Sequence, residues 1–495
     1  MTRHILAIDQ GTTSTRAILF DDQAQIIALS QKELMLHYPE NGWVEQNPED
    51  IWEDTKYVCQ DVLDSSGINV QDISAIGITN QRETLVLWDR ETGKPVCNAI
   101  VWQDRRTADY CNHLKQEGYE DMIRQKTGLL LDPYFSGTKL RWILENIPDV
   151  KQAAEQGKLA FGTIDCYLLW RLTGGEVHAT DATNASRTLL YNIVTQEWDE
   201  ELLDLMGIPE SLLPEVRDNS CEFGITYKDF LGAPIPVTGM AGDQHAALFG
   251  QACFEPGMIK STYGTGCFAL MNIGQKFKQS KHQLLTTIGY RLNGKTHYAI
   301  EGSIFIAGAA VQWLRDGLGL IEHARETENL VMTIPDNGGV YMVPAFTGLG
   351  APHWDPEARG IITGLTRDSH TAHFIRAALE AQGYQTNDLM EAMIEDTGQV
   401  PSELRVDGGM VENNWVCQFL ADITNLPVVR PEVIETTALG AAYLAGLYTG
   451  VYPSLEYISE SWRCAHKFEP KMDYNDRDEL ISGWKHAVKR TTLVA

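Results

Sequence analysis

The stretch "ILAIDQGTTSTRAILFDD" (residues 5–22) places a polar tip between two apolar runs. The first run ends in a carboxylate, Asp9, and the second begins directly after Arg16. Between them stand Gly11 and an unbroken row of hydroxyl side chains, residues 12–15. Short apolar runs of this kind are typical of strands, so the pattern predicts two strands joined by a tip.

The chemistry of this tip suits a nucleoside triphosphate with Mg²⁺, which needs backbone amides, small donors and an oxygen ligand. Gly11 permits a tight turn close to phosphates, and the hydroxyls of residues 12–14 donate without steric bulk. Asp9 is a hard oxygen ligand for hydrated Mg²⁺, and Arg16 can neutralise phosphate charge. The alternative is a polar hairpin whose hydroxyls satisfy their own backbone. That alternative leaves the flanking carboxylate and arginine unexplained.

Two later segments carry related features. "GMIKSTYGTGCFALMNIG" (residues 257–274) again predicts strand, Gly/Thr tip and strand, which indicates two lobes of related build meeting near residue 250. "LRVDGGMVENNW" (residues 404–415) predicts a short strand running into Asp-Gly-Gly, with a helix beginning near Asn413. Taken singly, two such tips can be ordinary hairpins, and most Asp-Gly-Gly sequences are turns.

The rest of the chain predicts an α/β protein of two or more domains, given 495 residues and mixed elements. "AQIIALSQ" and "ISAIGIT" have the pattern of strands. Residues 47–67 predict a helix, because Asn47 can cap it and Pro48 suits the first helical position. Apolar residues also recur at helical spacing in residues 136–147 and 371–396.

Charge and composition exclude several classes of protein. A net charge of −27 opposes binding to nucleic acid or to an anionic membrane surface. Nine cysteines stand singly without a C-x-x-C pair, which is typical of reduced thiols rather than of disulfides or a zinc site. No apolar run reaches about 18 residues and no signal-peptide pattern opens the chain. We therefore expect a soluble, cytoplasmic protein that inserts in no membrane.

One segment matches a phosphate-binding motif but lacks the structural context that the motif needs. "GYRLNGKT" (residues 289–296) matches the P-loop pattern, which works only between a strand and a helix N-terminus. Here the residues after Lys295 alternate like a strand, and Asn293-Gly294 between two such runs predicts a hairpin turn. We therefore expect Lys295 to have no role in phosphate binding.

Together the three segments resemble the sugar-kinase/actin/heat-shock ATPase superfamily: its two phosphate motifs match Asp9–Arg16 and Tyr263–Gly266, and its adenosine motif matches Leu404–Gly409. The resemblance implies an α/β protein with two RNase H-like, actin-like ATPase lobes, residues 1–252 and 253–495, and the active site in the cleft between them. It also implies ATP and Mg²⁺ as cofactors, with the metal held by Asp9 and Asp243, partly through water. The nucleotide-binding residues it implies are Thr12, Thr13, Ser14, Arg16, Thr265, Gly308, Gln312, Gly409 and Asn413.

Four further segments resemble the glycerol kinases, a family of carbohydrate kinases, in the same order and spacing: "TNQRETLVLW" (79–88), "IVWQDRRTA" (100–108), "LDPYFSGTKLRW" (131–142) and "GMAGDQHAALFGQ" (239–251). The resemblance runs from Ile5 to about Lys489. It implies phosphorylation of glycerol to sn-glycerol 3-phosphate, the first step of glycerol catabolism, with Asp243 as general base and in-line transfer. The substrate-binding residues it implies are Arg82, Glu83, Trp102, Tyr134, Asp243, Gln244 and Phe268.

Each of these residues also has an ordinary structural explanation. Arg82 and Glu83 can form a solvated surface pair, Trp102 and Phe268 can be core aromatics, and Asp243 can cap a helix. At the level of function, another polyol or ketose kinase and an ATP-driven assembly or chaperone protein remain as alternatives. ATP turnover that ignores glycerol would identify the last of these.

The resemblance also bears on regulation and assembly. Some glycerol kinases are inhibited by fructose 1,6-bisphosphate through a glycine-rich loop that ends in arginine just before the "GDQ" segment. Residues 218–290 contain no arginine, and Lys228 is the only cation of residues 224–244. Guanidinium groups hold phosphates bidentately, so we predict weak or no inhibition by this bisphosphate. Family membership would also imply a homodimer or homotetramer.

Overall fold

The computed structural model describes residues 3–355 and 357–492. Elements are numbered in chain order. The strands up to residue 252 are β1 (His4–Gln10), β2 (Ser14–Phe20), β3 (Ile26–Glu33), β4 (Glu45–Gln46), β5 (Ile73–Asn80), β6 (Leu85–Asp89), β7 (Ala99–Ile100), β8 (Leu159–Thr163), β9 (Ala179–Asp181), β10 (Tyr191–Asn192), β11 (Glu197–Trp198), β12 (Glu215–Arg217), β13 (Ser220–Ile225) and β14 (Pro236–Gly242). The helices of the same part are α1 (Pro48–Ser66), α2 (Ala108–Gln116), α3 (Glu120–Thr127), α4 (Ser136–Asn146), α5 (Val150–Glu155), α6 (Ile164–Leu172), α7 (Ala182–Ala185), α8 (Glu200–Met206) and α9 (Asp243–Gly250).

The elements after residue 252 follow the same numbering. The strands are β15 (Ile259–Tyr263), β16 (Cys267–Gly274), β17 (Leu285–Leu292), β18 (Lys295–Ile304), β19 (Tyr341–Val343), β20 (Ile361–Thr363), β21 (Leu404–Asp407), β22 (Val428–Pro431) and β23 (Cys464–Phe468). The helices are α10 (Gly308–Gln312), α11 (Glu326–Val331), α12 (Thr371–Thr397), α13 (Asn414–Thr424), α14 (Thr436–Thr449), α15 (Leu455–Ser461) and α16 (Tyr474–Thr492).

Two large sheets of matching topology organise the chain. The first has the order β13-β14-β5-β1-β2-β3 and the second the order β17-β18-β16-β15-β21-β22-β23. In each, an antiparallel pair (β1/β2 or β15/β16) extends into a third antiparallel strand on one side and two parallel strands on the other. We call each sheet with the helices that follow its strands the first and the second lobe. The prediction of two lobes of related build is confirmed.

Strand β1 shows why both faces of the first sheet must be covered. All seven of its residues are buried, and its side chains alternate between two cores. Leu6 and Ile8 pack with helices α1 and α6 on one face, whereas Ile5 and Ala7 pack with α14 on the other. This period of two is the geometry of a strand with both faces buried.

One helix of each lobe lies against the sheet of the other. Helix α14 packs on β1, β5 and β14 of the first sheet, and α9 packs on β15 and β16 of the second. The approach is close enough to require glycine: a Cβ atom on Gly77 would lie 2.2 Å from the carbonyl oxygen of Ala441, and one on Gly440 would lie 1.8 Å from that of Ala246. The two helices therefore join the lobes through their backbones.

The local predictions from sequence are confirmed. The side chain of Asn47 accepts from the amide of Glu49 at the start of α1, and Gly67 ends that helix in the left-handed region. In "GYRLNGKT", β17 and β18 form an antiparallel hairpin, with φ of 51° at Asn293 and 70° at Gly294. Two successive positive φ values are those of a type I′ hairpin turn, so the segment is not a P-loop.

Candidate active site

The first phosphate tip is a hairpin held from several sides. Asp9 pairs with Arg16 across β1 and β2, and the amide of Gly11 donates to the carbonyl of Ser14 at 2.9 Å. Gln46 donates to the backbone oxygen of Thr12 at 2.6 Å. Thr13 itself is exposed at the tip. The sequence prediction of a strand–tip–strand unit is confirmed: Thr12 and Ser14 are half-buried at the tip, whereas Thr15 is fully buried.

The Arg16 guanidinium is not free at this tip. Its Nη2 lies 2.9 Å from Asp9 Oδ2, and its Nη1 donates to Glu435 Oε2 at 2.6 Å. Glu435 directly precedes helix α14, so this chain of charges crosses between the lobes. Burial raises the pKa of Asp9, and the charge of Arg16 opposes that rise.

The second phosphate tip is held by helix α10 rather than by charges. Backbone oxygens of Gly264 and Thr265 accept from the amides of Ala307, Gly308 and Ala309 at 2.9–3.1 Å. A Cβ atom on Gly308 would lie 2.7 Å from the carbonyl oxygen of Gly264. Thr265 and Gln312, which ends α10, are both exposed. The structure thus brings Thr265 and Gly308 directly together.

The predicted adenosine motif lies at the end of β21. Gly408 has φ of 92°, and a Cβ atom there would approach the backbone oxygen of Tyr263 to 2.5 Å, so this backbone packs on the second tip. Gly409 follows it, exposed, and no protein atom lies within 4 Å of its would-be Cβ. Asn413 caps helix α13 by accepting from the amide of Val416 at 3.1 Å. The open face at Gly409 leaves room for a flat ring against the backbone.

The residues predicted to bind the acceptor meet at the carboxyl ends of β5 and β14. Arg82 Nε lies 3.3 Å from Asp243 Oδ1 and 3.6 Å from Glu83 Oε1, while Arg82 Nη2 donates to the Tyr134 hydroxyl at 3.1 Å. Arg82 and Glu83 are each about 2% exposed, so the alternative of a solvated surface pair is wrong. Gln244 follows Asp243 in helix α9 and is also buried.

Aromatic side chains form one wall of this site. The ring centroid of Trp102 lies 5.5 Å from that of Tyr134 and 6.3 Å from that of Phe268. All three are partly exposed rather than fully buried in a core. Trp102 Nε1 also donates to the Thr12 hydroxyl at 2.8 Å, which links this wall to the first phosphate tip. An apolar wall facing donors and acceptors suits a small polyol.

Asp243 is the residue predicted to act as the general base. It is the first residue of α9, behind Gly242 as the N-cap, and 31% of its side chain is exposed. Loss of solvent around it raises the pKa of Asp243 to about 6, although the charge of Arg82 acts in the opposite direction. A carboxylate with a pKa near neutral pH is suited to accept a proton.

The two carboxylates implied for Mg²⁺ lie at one edge of the first sheet. Gln10, Asn80 and Gly242 are in register on β1, β5 and β14, so Asp9 and Asp243 stand one residue to either side of this row. Mg²⁺ is usually held by one or two carboxylates together with phosphates and water. The pair fits that donor set, and no cluster of three or more metal-ligating side chains occurs in residues 3–355 and 357–492.

Sequence reasoning missed three charged residues around the site. Glu301 and Arg187 are both fully buried against Arg82 and Glu83, and buried Lys260 donates to Gln244 Oε1 at 2.5 Å. Glu301 and Lys260 stand in strands β18 and β15, whose residues around them are buried. A charge within a buried part of a strand requires a partner, and the partners of these two lie in distant segments of the chain.

Comparison with protein families gives two adjacent matches. The N-terminal domain of the FGGY family of carbohydrate kinases matches residues 4–250, and the C-terminal domain of the same family matches residues 259–448. Among curated proteins, the glycerol kinase of Ectopseudomonas mendocina is 60% identical over 99% of both chains. Glycerol kinase 1 of Pseudomonas aeruginosa is also 60% identical over 99% of both chains.

Solved structures agree on the fold. The crystal structure of Plasmodium falciparum glycerol kinase with ADP matches with a TM-score of 0.93 at 38% identity, covering 99% of this chain and 98% of that one. A ligand-bound xylulose kinase of Lactobacillus acidophilus matches at 24% identity with a TM-score of 0.88, over 100% of this chain and 99% of that one, which speaks for the fold alone.

Proposed function

The chain belongs to the FGGY family of carbohydrate kinases, and from that premise we propose that it transfers the γ-phosphate of ATP to glycerol, giving sn-glycerol 3-phosphate. The observation that carries the choice of acceptor is the small site in which Arg82, Glu83, Tyr134 and Asp243 converge beside an aromatic wall. Another polyol or ketose kinase and an assembly ATPase are not favoured, because the curated relatives near 60% identity are glycerol kinases.

In this proposal the acceptor residues bind and orient glycerol. Arg82 donates to a glycerol hydroxyl, Glu83 accepts from one, and Tyr134 and Gln244 complete the polar contacts. Trp102 and Phe268 cover the carbon atoms. Because a hydroxyl both donates and accepts, a site with both functions on one side and rings on the other selects a short polyol.

Asp243 acts as the general base. Its carboxylate orients a terminal hydroxyl of glycerol and accepts the proton as the oxygen attacks the γ-phosphate in line. Arg82, 3.3 Å from Asp243, fixes the carboxylate's orientation. General-base catalysis contributes about 10²–10⁴-fold, and positioning with electrostatics supplies the rest of the acceleration.

The phosphates of ATP lie between the two tips. Thr12, Thr13, Ser14 and Arg16 from the first tip and Thr265 from the second contact them, while Gly308, Gln312, Gly409 and Asn413 hold the nucleoside part. Asp9 and Asp243 would hold Mg²⁺, which when bound neutralises charge on the phosphates. Contact between the lobes keeps water from the γ-phosphate.

The wider organisation is part of the same proposal. We place the lobe boundary between residues 252 and 253, in the segment between the two family matches. Among the described residues 3–355 and 357–492, no helix is both long and apolar enough to cross a bilayer. We propose a cytoplasmic homodimer or homotetramer, and light scattering of the purified chain measures the subunit number.

Release of ADP, measured with separate acceptors, tests the function. Glycerol should give turnover far above that with xylulose, ribulose, gluconate or no acceptor, and the product should be sn-glycerol 3-phosphate. Equal rates with and without glycerol would favour an ATPase, and a higher kcat/KM for a ketose would favour a different sugar kinase.

A further inference from the structure

We propose that Glu301 and Arg187 are positioning residues of the acceptor site, and that they make tight binding of glycerol depend on contact between the two lobes. The inference rests on the proposed function, because it names what holds the arginine that grips glycerol. It extends that function with a coupling between nucleotide and acceptor that the acceptor residues alone do not contain.

Four buried charges form a closed ring around the acceptor site. Arg82 donates to Glu301 through both terminal nitrogens, at 2.5 and 3.1 Å. Arg187 bridges the two acids, donating to Glu83 Oε1 at 2.7 Å and to Glu301 Oε1 at 3.0 Å. Each side chain is at most 2% exposed. The ring leaves Arg82 one orientation, with its Nε toward Asp243.

The acid that closes this ring comes from the second lobe. Glu301 stands in β18 opposite Leu270 of β16, which in turn stands opposite Lys260 of β15. Residues directly opposite in neighbouring strands project from the same face of a sheet, so Lys260 and Glu301 share one face. From that face they contact Gln244 and Arg82 of the first lobe. Two of the predicted glycerol ligands are therefore held by charges that belong to the other lobe.

The buried charge of Glu301 is more stable when the two lobes are in contact than when they are apart. A buried charge is costly without a partner, and Glu301 has its arginine partners only when the lobes are in contact. Although burial alone would raise it, the charges of Arg187 and Arg82 lower the pKa of Glu301 to about 2, so the ionised form is favoured. Separation of the sheets would release Arg82 from both of its bonds to Glu301.

Coupling between the two substrates follows. ATP contacts both tips in the proposed function and thus favours lobe contact, which in turn fixes Arg82 for glycerol. A ligand shifts an equilibrium by its differential affinity for the two states, and the effect is reciprocal. Glycerol should bind more tightly in the presence of nucleotide, and Glu301 should carry that difference.

The test is titration calorimetry of the full chain with glycerol, with and without a non-hydrolysable ATP analogue and Mg²⁺. In the wild-type protein we expect the analogue to lower the Kd of glycerol about tenfold, within the usual range of allosteric coupling. In Glu301→Gln the ratio of the glycerol Kd without the analogue to the Kd with it should fall to about twofold or less. A folded Glu301→Gln protein with the wild-type ratio would overturn the inference.

Glu380→Gln is the matched control. Glu380 is a fully buried acid of the second lobe, bonded by Arg376 at 2.7 Å and by Tyr384 at 2.9 Å, and it has no contact with the acceptor residues. Its substitution should lower the melting temperature and leave the ratio of Kd values unchanged. Equal loss of coupling in Glu301→Gln and Glu380→Gln would assign the effect to general destabilisation and overturn the inference.

Arg187→Lys tests the coupling between nucleotide and glycerol if Glu301→Gln does not fold. Lysine keeps the charge but cannot bridge two acids as the planar guanidinium does. The ratio of the two glycerol Kd values should therefore drop about threefold. An unchanged ratio counts against the inference. A wild-type protein that binds glycerol equally with and without the analogue also overturns it, while the proposed function stands. A wild-type protein that neither binds nor phosphorylates glycerol refutes the proposed function itself.

Discussion

The two phosphate tips occupy equivalent places in two sheets of the same topology, yet they are built differently. The first tip is flanked by a carboxylate and a guanidinium, Asp9 and Arg16, which pair across the hairpin and reach Glu435. At the matching flank of the second tip, Thr262 pairs with Phe268 and Tyr263 with Cys267, and the tip is fixed by backbone bonds to α10.

The difference separates two tasks that a phosphate site must perform. In the proposed function, the first lobe supplies the ionisable groups, Asp9, Arg16 and Asp243, whereas the second supplies a backbone surface whose shape depends on close packing at Gly308. We therefore expect charge-changing substitutions to act most strongly in the first lobe, and added volume to act most strongly in the second.

Asp243→Asn should give the largest effect, a fall in kcat of about 10³-fold or more, because the amide keeps the shape of the base but cannot accept the proton. Single-turnover phosphoryl transfer measures this directly, and glycerol binding by calorimetry serves as the control, since it should remain measurable. A transfer rate within tenfold of wild type would show that Asp243 of the first lobe is not the general base. It would thereby contradict the contrast drawn between the two lobes.

Acidification should act through the same group. Since the pKa of Asp243 is raised to about 6, the ionised base is lost as pH falls through that value. At pH 5, kcat/KM should be about tenfold below its plateau above pH 7. The residual activity of Asp243→Asn should lack this fall, and a flat wild-type profile would contradict the assignment.

Gly308→Ala tests the second tip. The added methyl group would lie 2.7 Å from the carbonyl oxygen of Gly264, so the tip must shift, and we expect the KM for ATP to rise about tenfold. Gly264→Ala is the matched variant, since its methyl group would meet no protein atom closer than 3.8 Å. Equal losses in both variants would show that added volume acts on ATP itself rather than on tip–helix packing.

Lys295→Ala should have no measurable effect on ATP affinity. Lys295 begins β18 next to a type I′ turn, with an exposed side chain and no phosphate tip beside it. Equilibrium binding of ATP to the variant measures the change. A loss of the size expected for a phosphate-binding lysine would restore the P-loop interpretation and undo the model of two tips.

Local structure was predictable because its causes are local. Asn293-Gly294 between alternating residues requires a turn with positive φ, and Asn47 before Pro48 requires a helix start, whatever the rest of the chain does. The candidate acceptor residues were proposed from sequence only through resemblance to the glycerol kinases. Taken singly, Arg82 and Glu83 resemble any surface pair, and their burial became visible only in the structure.

The ring of charges was not predictable from local pattern. Arg82 and Glu301 are 219 residues apart, and no periodicity of one segment indicates which arginine a distant acid will meet. The exchange of α9 and α14 between the sheets escaped prediction for the same reason. Helical spacing shows that a helix has a buried face but not which sheet that face contacts.

The position of α14 late in the chain also determines when one face of the first sheet can be covered during biosynthesis. The face of the first sheet that carries Ile5 and Ala7 is covered by a helix centred near Ala441, which follows Gly77 by 364 residues. At a translation rate of about 5–20 residues per second, synthesis reaches α14 roughly 20–70 s after that face of the sheet has been made. Contacts so distant in sequence also slow folding once the chain is released. Until α14 is synthesised, Ile5 and Ala7 therefore lack the helix that buries them in the folded protein.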